Sequence, residues 1–377
     1  MDFLGNIGTW GGWLTGYVVP FLFVLTIVVF FHELGHFLVA RWCGVRVLVF
    51  SIGFGPELIG FNDRHGTRWK IAAIPLGGYV KFFGDENAAS VPDQGAIAEM
   101  SDEDRRDSFH GKSVAQRAAI VAAGPIANFI LAIAIFAAIF SIHGKAASPA
   151  RVDTIQANSA AAAAGFKPGD LIVAINGKTI ETFTDMQRLV SAAAGQTLDI
   201  AIDRAGTRST LKATPAMTEI KDSFGNVHRM GVLGITGVRE PPVPVNPLTA
   251  VKLGVEETWF VVDRTLAYIG GVVVGKESAD QLGGPIRIAQ VSGQVATAGF
   301  VALINLAAVL SVSIGLLNLF PIPLLDGGHL LFYAIEAARG RPLSERAQEY
   351  GFRVGLAVVL LLMIFATFND ILHLAKL

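Results

Sequence analysis

Cysteine is almost missing from this chain: of 377 residues, only Cys43 is one. No disulfide can close within the chain, and no cysteine cluster can hold a metal. Charge is scarce as well. Asp, Glu, Lys and Arg make up 16% of the residues and nearly cancel, for a formal net charge of −1. There is no basic tract, so no nucleic-acid partner is suggested. The residues ahead of Val18 contain no Lys or Arg. The first apolar run therefore lacks the cationic flank of a signal peptide. It is also long enough to span, so a retained segment is expected.

Apolar residues are what the chain has in plenty, at 52%. That is a membrane composition. Four apolar segments of about 20 residues are expected to cross a bilayer, near residues 18–40, 115–142, 300–320 and 352–368. Trp10, Trp13 and Tyr17 precede the first as an interfacial belt. Arg41, Arg46, Arg64, Arg68, Lys70 and Lys81 follow the first span, and Arg339, Arg341 and Arg346 precede the last. The positive-inside rule puts both loops in the cytoplasm and both termini outside. Parity then places the long stretch between spans two and three outside too.

Inside the first span lies His32-Glu33-Leu34-Gly35-His36. Positions i and i+4 of a helix share a face, so both imidazoles can point at one ion. Glu33 follows the first ligand, where it can serve as a base toward water. The competing reading is a set of structural polar residues facing a helix bundle. Such groups cost roughly several kcal/mol in lipid unless paired or ligating, which favours the metal.

A catalytic metal usually needs a third protein ligand. The best candidate is Asp326, in Asn318-Leu319-Phe320-Pro321-Ile322-Pro323-Leu324-Leu325-Asp326-Gly327-Gly328-His329. Two prolines break the helix, and two glycines allow close backbone approach. By parity this loop lies at the cytoplasmic side, at the depth of His32 and His36. Asp326 could instead cap the next helix, and His329 is a competing ligand.

Residues 68–84 place apolar stretches around a Pro75…Gly77-Gly78 turn signal. A hairpin or re-entrant loop is expected, with an ordinary cytoplasmic hairpin as the alternative. Residues 85–107 are acidic and polar and read as flexible. Residues 148–240 change character. Gly165-Phe166-Lys167-Pro168-Gly169-Asp170 leads into Leu171–Ile175, a strand ended by an Asn176-Gly177 turn, with a helix near residues 184–194. This run resembles a PDZ domain of the bacterial protease type, which binds extended chains at a sheet edge. In the circularly permuted form, Leu233, Gly234 and Ile235 would carry the groove. A small β-rich domain without a ligand is the alternative. Residues 251–274 mix apolar residues with recurring charges, which favours an amphipathic helix on the outer leaflet over a fifth span. Gln281 to Gln290 reads as a structured return to the membrane.

Taken together, the His-Glu-Leu-Gly-His run, Phe50-Ser51-Ile52-Gly53-Phe54-Gly55, Ile74-Pro75-Leu76-Gly77-Gly78-Tyr79-Val80-Lys81, Gly124-Pro125-Ile126-Ala127-Asn128, the PDZ-like insertion and the Asn318–His329 run resemble the bacterial site-2 protease family. The resemblance covers nearly the whole chain. Members of the enteric type carry two tandem PDZ domains, and this chain has room for one.

The resemblance implies a polytopic α-helical protein of about four transmembrane helices, with a membrane-associated re-entrant β-hairpin and an inserted PDZ domain of mixed α/β type. The organisation expected is an N-terminal membrane half (1–145), a PDZ domain (146–240), an amphipathic linker (241–299) and a C-terminal membrane half (300–377). It also implies a zinc endopeptidase of the bacterial inner membrane with one zinc ion per chain, held by His32, His36 and Asp326, and Glu33 as catalytic base. The substrates implied are single-span membrane proteins, typically anti-sigma factors already trimmed by a site-1 protease. Asn318, Pro321 and Pro323 would hold the substrate, the hairpin at Gly77 and Gly78 would pair with it, and Asn128, which matches the span-two asparagine of the family, would face it as well. Rival readings are a membrane-anchored PDZ scaffold, which need not keep Glu33, and a metal transporter, which would want ligands on both sides of the bilayer.

Overall fold

The computed structural model describes residues 14–85, 100–145, 148–221, 227–238, 240–275, 279 and 283–374. The chain divides into two compact units: residues up to 138 together with those from 250 onward, and residues 139–249. Among the described residues, four helical stretches are long and apolar enough to cross a membrane: Thr15–Trp42, Val114–His143, Phe300–Asn318 and Arg346–Leu372. Trp10 and Trp13 lie outside the described residues.

Helix α1 (Val19–Trp42) opens with a proline in its first turn, where the missing N–H is no loss. Gly44, at φ +72°, ends the run as an αL stop. Strands β1 (Val47–Asn62) and β2 (Arg68–Phe82) follow. The turn joining them spans Asp63 to Thr67. Asp63 Oδ1 accepts the backbone N–H of His65 and of Thr67, both at 2.9 Å, and Gly66 sits at φ +83°.

The Pro75…Gly77-Gly78 signal lies within β2, and the chain reverses direction there, as the hairpin expected over residues 68–84 requires: 68–71 runs alongside residues 49–52 of β1, and 78–81 runs against them. Residues 49–52 of β1 pair with 78–81 and also with 68–71, while 59–62 pair with 68–71 again. Two bent strands thus make four short passes. Phe37, Phe50, Val80, Phe82, Phe109, Ile120 and Tyr333 bury together and tie this sheet to the helices. Most of residues 85–107 lies outside the described set; its end forms helix α2 (Asp102–Asp107), capped by Ser101.

Helix α3 (Val114–His143) carries Pro125 in its interior, which a membrane helix tolerates where neighbours meet the freed backbone groups. It packs closely on α1 because Gly35 has no side chain: a β-carbon there would stand 2.2 Å from the carbonyl oxygen of Ala123.

The second unit holds β3 (Val152–Ile155), α4 (Ala160–Ala164), β4 (Leu171–Ile175), β5 (Lys178–Thr179), α5 (Phe183–Ala192), β6 (Leu198–Arg204), β7 (Thr207–Ala213), β8 (Ala216–Lys221), β9 (Val227–Val232) and β10 (Ile235–Gly237). Strands β5, β4, β6 and β7 form one sheet in that order, and β3 pairs with β10 and β8 with β9. Asn176 and Gly177, at φ +49° and +79°, make the tight β4–β5 turn. Thr182 and Asp185 close a capping box on α5. Ile172, Ile175, Met186, Val190, Ile200 and Ile202 fill the core. Asp170, with its side chain 1% exposed, accepts from Arg204 Nε at 2.7 Å, Arg204 Nη2 at 2.8 Å and the Lys167 N–H at 2.8 Å. The Arg204 guanidinium holds the Asp170 carboxyl below the usual carboxylate range.

Helix α6 (Pro247–Val273) is continuous through Gly270 and Gly271. It is not among the four candidate spans. Ala250, Gly254, Thr258 and Val262, four residues apart, form its buried stripe, and Gly254 lies against α3 at Ile133 and Ala137. Trp259, Val251, Val255 and Leu266 stay exposed. Part of the expected return, residues 281–282, lies outside the described residues, and α7 (Pro285–Thr297) follows it. Then come α8 (Phe300–Asn318), α9 (Asp326–Arg339) and α10 (Glu345–Leu374). Asp370 on α10 is buried and accepts the N–H groups of Gly284, Ile286 and Arg287 at 2.8, 3.1 and 3.1 Å. It thereby satisfies the open N-terminus of α7.

Candidate metal centre

His32 and His36 stand one turn apart on α1, and Asp326 is the first residue of α9. The loop between α8 and α9 folds tightly enough to deliver that carboxylate because Gly327 and Gly328 lack side chains. A β-carbon on Gly327 would lie 2.3 Å from the carbonyl oxygens of Leu319 and Phe320, and one on Gly328 2.4 Å from that of Ile322. Helix α10 holds the loop from the other side, with Gly355 against Pro323.

The three side chains converge. His32 Nε2 and His36 Nε2 are 3.2 Å apart. Asp326 Oδ2 is 3.2 Å from His32 Nε2, and Asp326 Oδ1 is 3.6 Å from His36 Nε2. One donor atom from each lies within 4.8 Å of the others. A tetrahedral ion about 2.0–2.1 Å from each ligand would set neighbouring ligand atoms roughly 3.3 Å apart, so the spacing suits one ion. Asp326 Oδ2 is buried and lacks hydrogen-bond geometry to any partner among the described residues, despite its proximity to His32. A buried carboxylate oxygen of this kind is accounted for if it ligates. The residues present therefore fit a metal with two imidazoles and one carboxylate.

The surroundings are shaped to these side chains. His36 Nδ1 lies 2.9 Å from the carbonyl oxygen of Ile120 on α3. The Asn128 amide faces His32 Nδ1 at 3.3 Å. Gly124, between them on α3, is where His36 rests: a β-carbon there would be 2.2 Å from Nε2. On the other side Gly78 of β2 lies against α1, its missing β-carbon 2.9 Å from Glu33 Cγ. The strand thus runs beside the candidate base.

His329, the competing ligand of the sequence reading, packs its ring against Phe352 with centroids 5.5 Å apart. It is not in the convergent group. Asn318 ends α8, and Pro321 and Pro323 lie in the loop ahead of Asp326. In the inserted unit, strand β10 starts only at Ile235, which pairs with Ile155. Leu233 is buried in the core, its carbonyl accepts from Ala161, and the Gly234 carbonyl accepts from Gln156.

Sequence reasoning did not find Gly124, Gly35 or the Ile120 carbonyl. Gly124 lies in a span rich in small residues, Gly35 sits inside the His32–His36 run, and a backbone carbonyl leaves no mark on residue type.

Residues 20–362 match the family model described as Peptidase family M50. A protein of Agrobacterium fabrum named "Putative zinc metalloprotease" is 56% identical, over 96% of this chain and 97% of its own. One of the same description from Rhizobium meliloti is 53% identical, over 94% and 96%. Metalloprotease MmpA of Caulobacter vibrioides is 43% identical, over 94% and 95%. Among solved structures, the PDZ domain of an SdrC-like protein from Listeria monocytogenes aligns with 23% of this chain and 85% of its own, at 20% identity and a TM-score of 0.19. With the family matched along nearly its full length, this chain belongs to peptidase family M50, the site-2 protease family.

Proposed function

We propose that this protein is a zinc endopeptidase that cuts peptide bonds within membrane-spanning segments. The observation that carries the reading is the convergence of His32, His36 and Asp326 at ligand spacing inside a chain of four apolar helices. When bound, a zinc ion acidifies water and polarises a carbonyl. Glu33 takes the proton of the attacking water as its oxygen bonds to the scissile carbon. It then delivers that proton to the departing nitrogen as the C–N bond breaks. Two imidazoles and one carboxylate suit zinc among the divalent ions.

A helical substrate hides its peptide bonds, so a segment must unwind. Residues 78–82 of β2 pair with β1 on one edge, and Gly78 brings them beside Glu33. An extended substrate segment laid along that strand would recover backbone hydrogen bonds that lipid cannot supply. Asn318, Pro321 and Pro323, in the stretch of chain ahead of Asp326, are the residues to hold that segment.

The family resemblance extends the reading to single-span substrates such as anti-sigma factors already trimmed outside the cell. The family resemblance supports a bacterial inner-membrane location, and the Lys/Arg bias of the short loops supports termini and inserted domain outside with the metal centre toward the cytoplasm. Helix α6, with its exposed Trp259 and recurring charges, lies at the outer interface. The inserted domain screens substrates there.

The test uses purified full-length protein and a single-span substrate. One zinc per chain is expected, with cleavage inside the span that stops on chelation and returns with zinc. Zinc-free protein that still cleaves would overturn the reading.

A further inference from the structure

Both histidine rings turn Nε2 toward the cluster, so each turns Nδ1 away from it. A neutral imidazole that ligates through Nε2 carries its proton on Nδ1, and that N–H needs an acceptor. For His36 the acceptor is the carbonyl oxygen of Ile120, 2.9 Å away. For His32 the group opposite Nδ1 is the Asn128 side chain, with its nitrogen at 3.3 Å. Two N–H donors facing each other make no hydrogen bond. The oxygen and nitrogen of an amide have nearly the same shape, so the network decides which way the group points. In the same side chain Oδ1 is buried and has no partner among the described residues.

We propose that Asn128 is a positioning residue for the metal centre: its Oδ1 accepts the Nδ1–H of His32 and so holds His32 Nε2 toward the ion. The inference rests on the metal reading above. Asn128 is well placed for this. It is 0% exposed, Ser311 Oγ donates to its backbone carbonyl at 2.9 Å, and Gly315 of α8 leaves room for its side chain. Helix α3 then supplies both anchors, Ile120 for His36 and Asn128 for His32. One rigid helix fixes the orientation of both rings. Losing such an outer contact typically weakens metal binding about 10–100-fold.

The test is zinc affinity of the full chain, measured by competition with a chromophoric chelator. Asn128→Leu removes the acceptor, and its dissociation constant is expected to rise about 10–100-fold. Asn128→Asp keeps an acceptor and is expected to bind at least as tightly as wild type. The cobalt-substituted Leu variant should also show an altered d–d absorption. Leu binding as tightly as wild type would overturn the proposal, as would Asp binding as weakly as Leu, since that would make the position one of packing alone. If wild type itself binds no zinc, it is the metal reading that fails. Should Asn128→Leu not fold, Asn128→Ala carries the same expectation. Zinc-loaded wild type with 15N-labelled histidine needs no variant: its His32 ring should be protonated on Nδ1, and protonation on Nε2 would contradict the assignment.

Discussion

Gly124 and His36 sit so close that a β-carbon on the glycine would lie 2.2 Å from Nε2, the nitrogen that faces the metal centre. The small residue on α3 thus makes room for the imidazole on α1. Gly124→Ala should push the ring out of place. It is expected to lower bound zinc well below one per chain and to destabilise the protein by about 1–3 kcal/mol through overpacking. Metal analysis and thermal unfolding check both parts. Full zinc content in the alanine variant would show that the ring can give way without loss.

The third ligand is tested by a pair of variants. Asp326→Ala should lose zinc and activity together, because its carboxylate stands 3.2 Å from His32 and 3.6 Å from His36. His329→Ala should keep most of both, because that ring packs on Phe352. Zinc content of the two purified variants decides the matter, and the reverse pattern would make His329 the ligand.

In the inserted unit the buried Asp170 carries the test. Its carboxyl is held below the ordinary range by Arg204, so its contribution to stability is fully present above about pH 4, the usual Asp value. It is lost as pH falls from there through the depressed folded value. Asp170→Asn should cost about 1–3 kcal/mol at pH 7, since buried donors lose a charged acceptor. The difference between wild type and variant should shrink below about pH 4. Chemical denaturation followed by circular dichroism at both pH values measures it. A difference independent of pH would mean the ion pair is not the cause.

Much of this was legible in the sequence. A bilayer imposes a length on apolar runs, so the four spans could be read in one dimension. The pairing of His32 with His36 follows from helix geometry alone, and Asp326 stood out because a carboxylate beside an apolar span needs a reason. The reversal near Pro75, Gly77 and Gly78 was legible because those residues punctuate the chain, whereas the earlier turn at Asp63 and Gly66 went unread. That earlier turn is built by the Asp63 side chain, which accepts the N–H groups of His65 and Thr67. Asn128 was read from resemblance as facing substrate. Its approach to His32 depends on how α1 and α3 cross, which no single segment encodes.

The inserted domain is expected to restrain the enzyme, not to take part in its chemistry. Replacing residues 148–240 with a short flexible linker should permit cleavage of an untrimmed single-span substrate that wild type leaves alone. Co-expression with full-length and pre-trimmed forms of one substrate provides the comparison. Continued refusal of the full-length form, with the trimmed form still cut, would contradict gating. Failure on both, with normal zinc content, would instead make the domain necessary for substrate delivery.

Glu33 is proposed as the base and not as a ligand. Glu33→Gln, assayed beside wild type for zinc content and for cleavage of one single-span substrate, tests it most directly. One zinc per chain is expected in both proteins, with a loss of cleavage in the variant of at least about 100-fold. A folded Glu33→Gln protein that had lost its zinc, or one that cleaved at the wild-type rate, would contradict it.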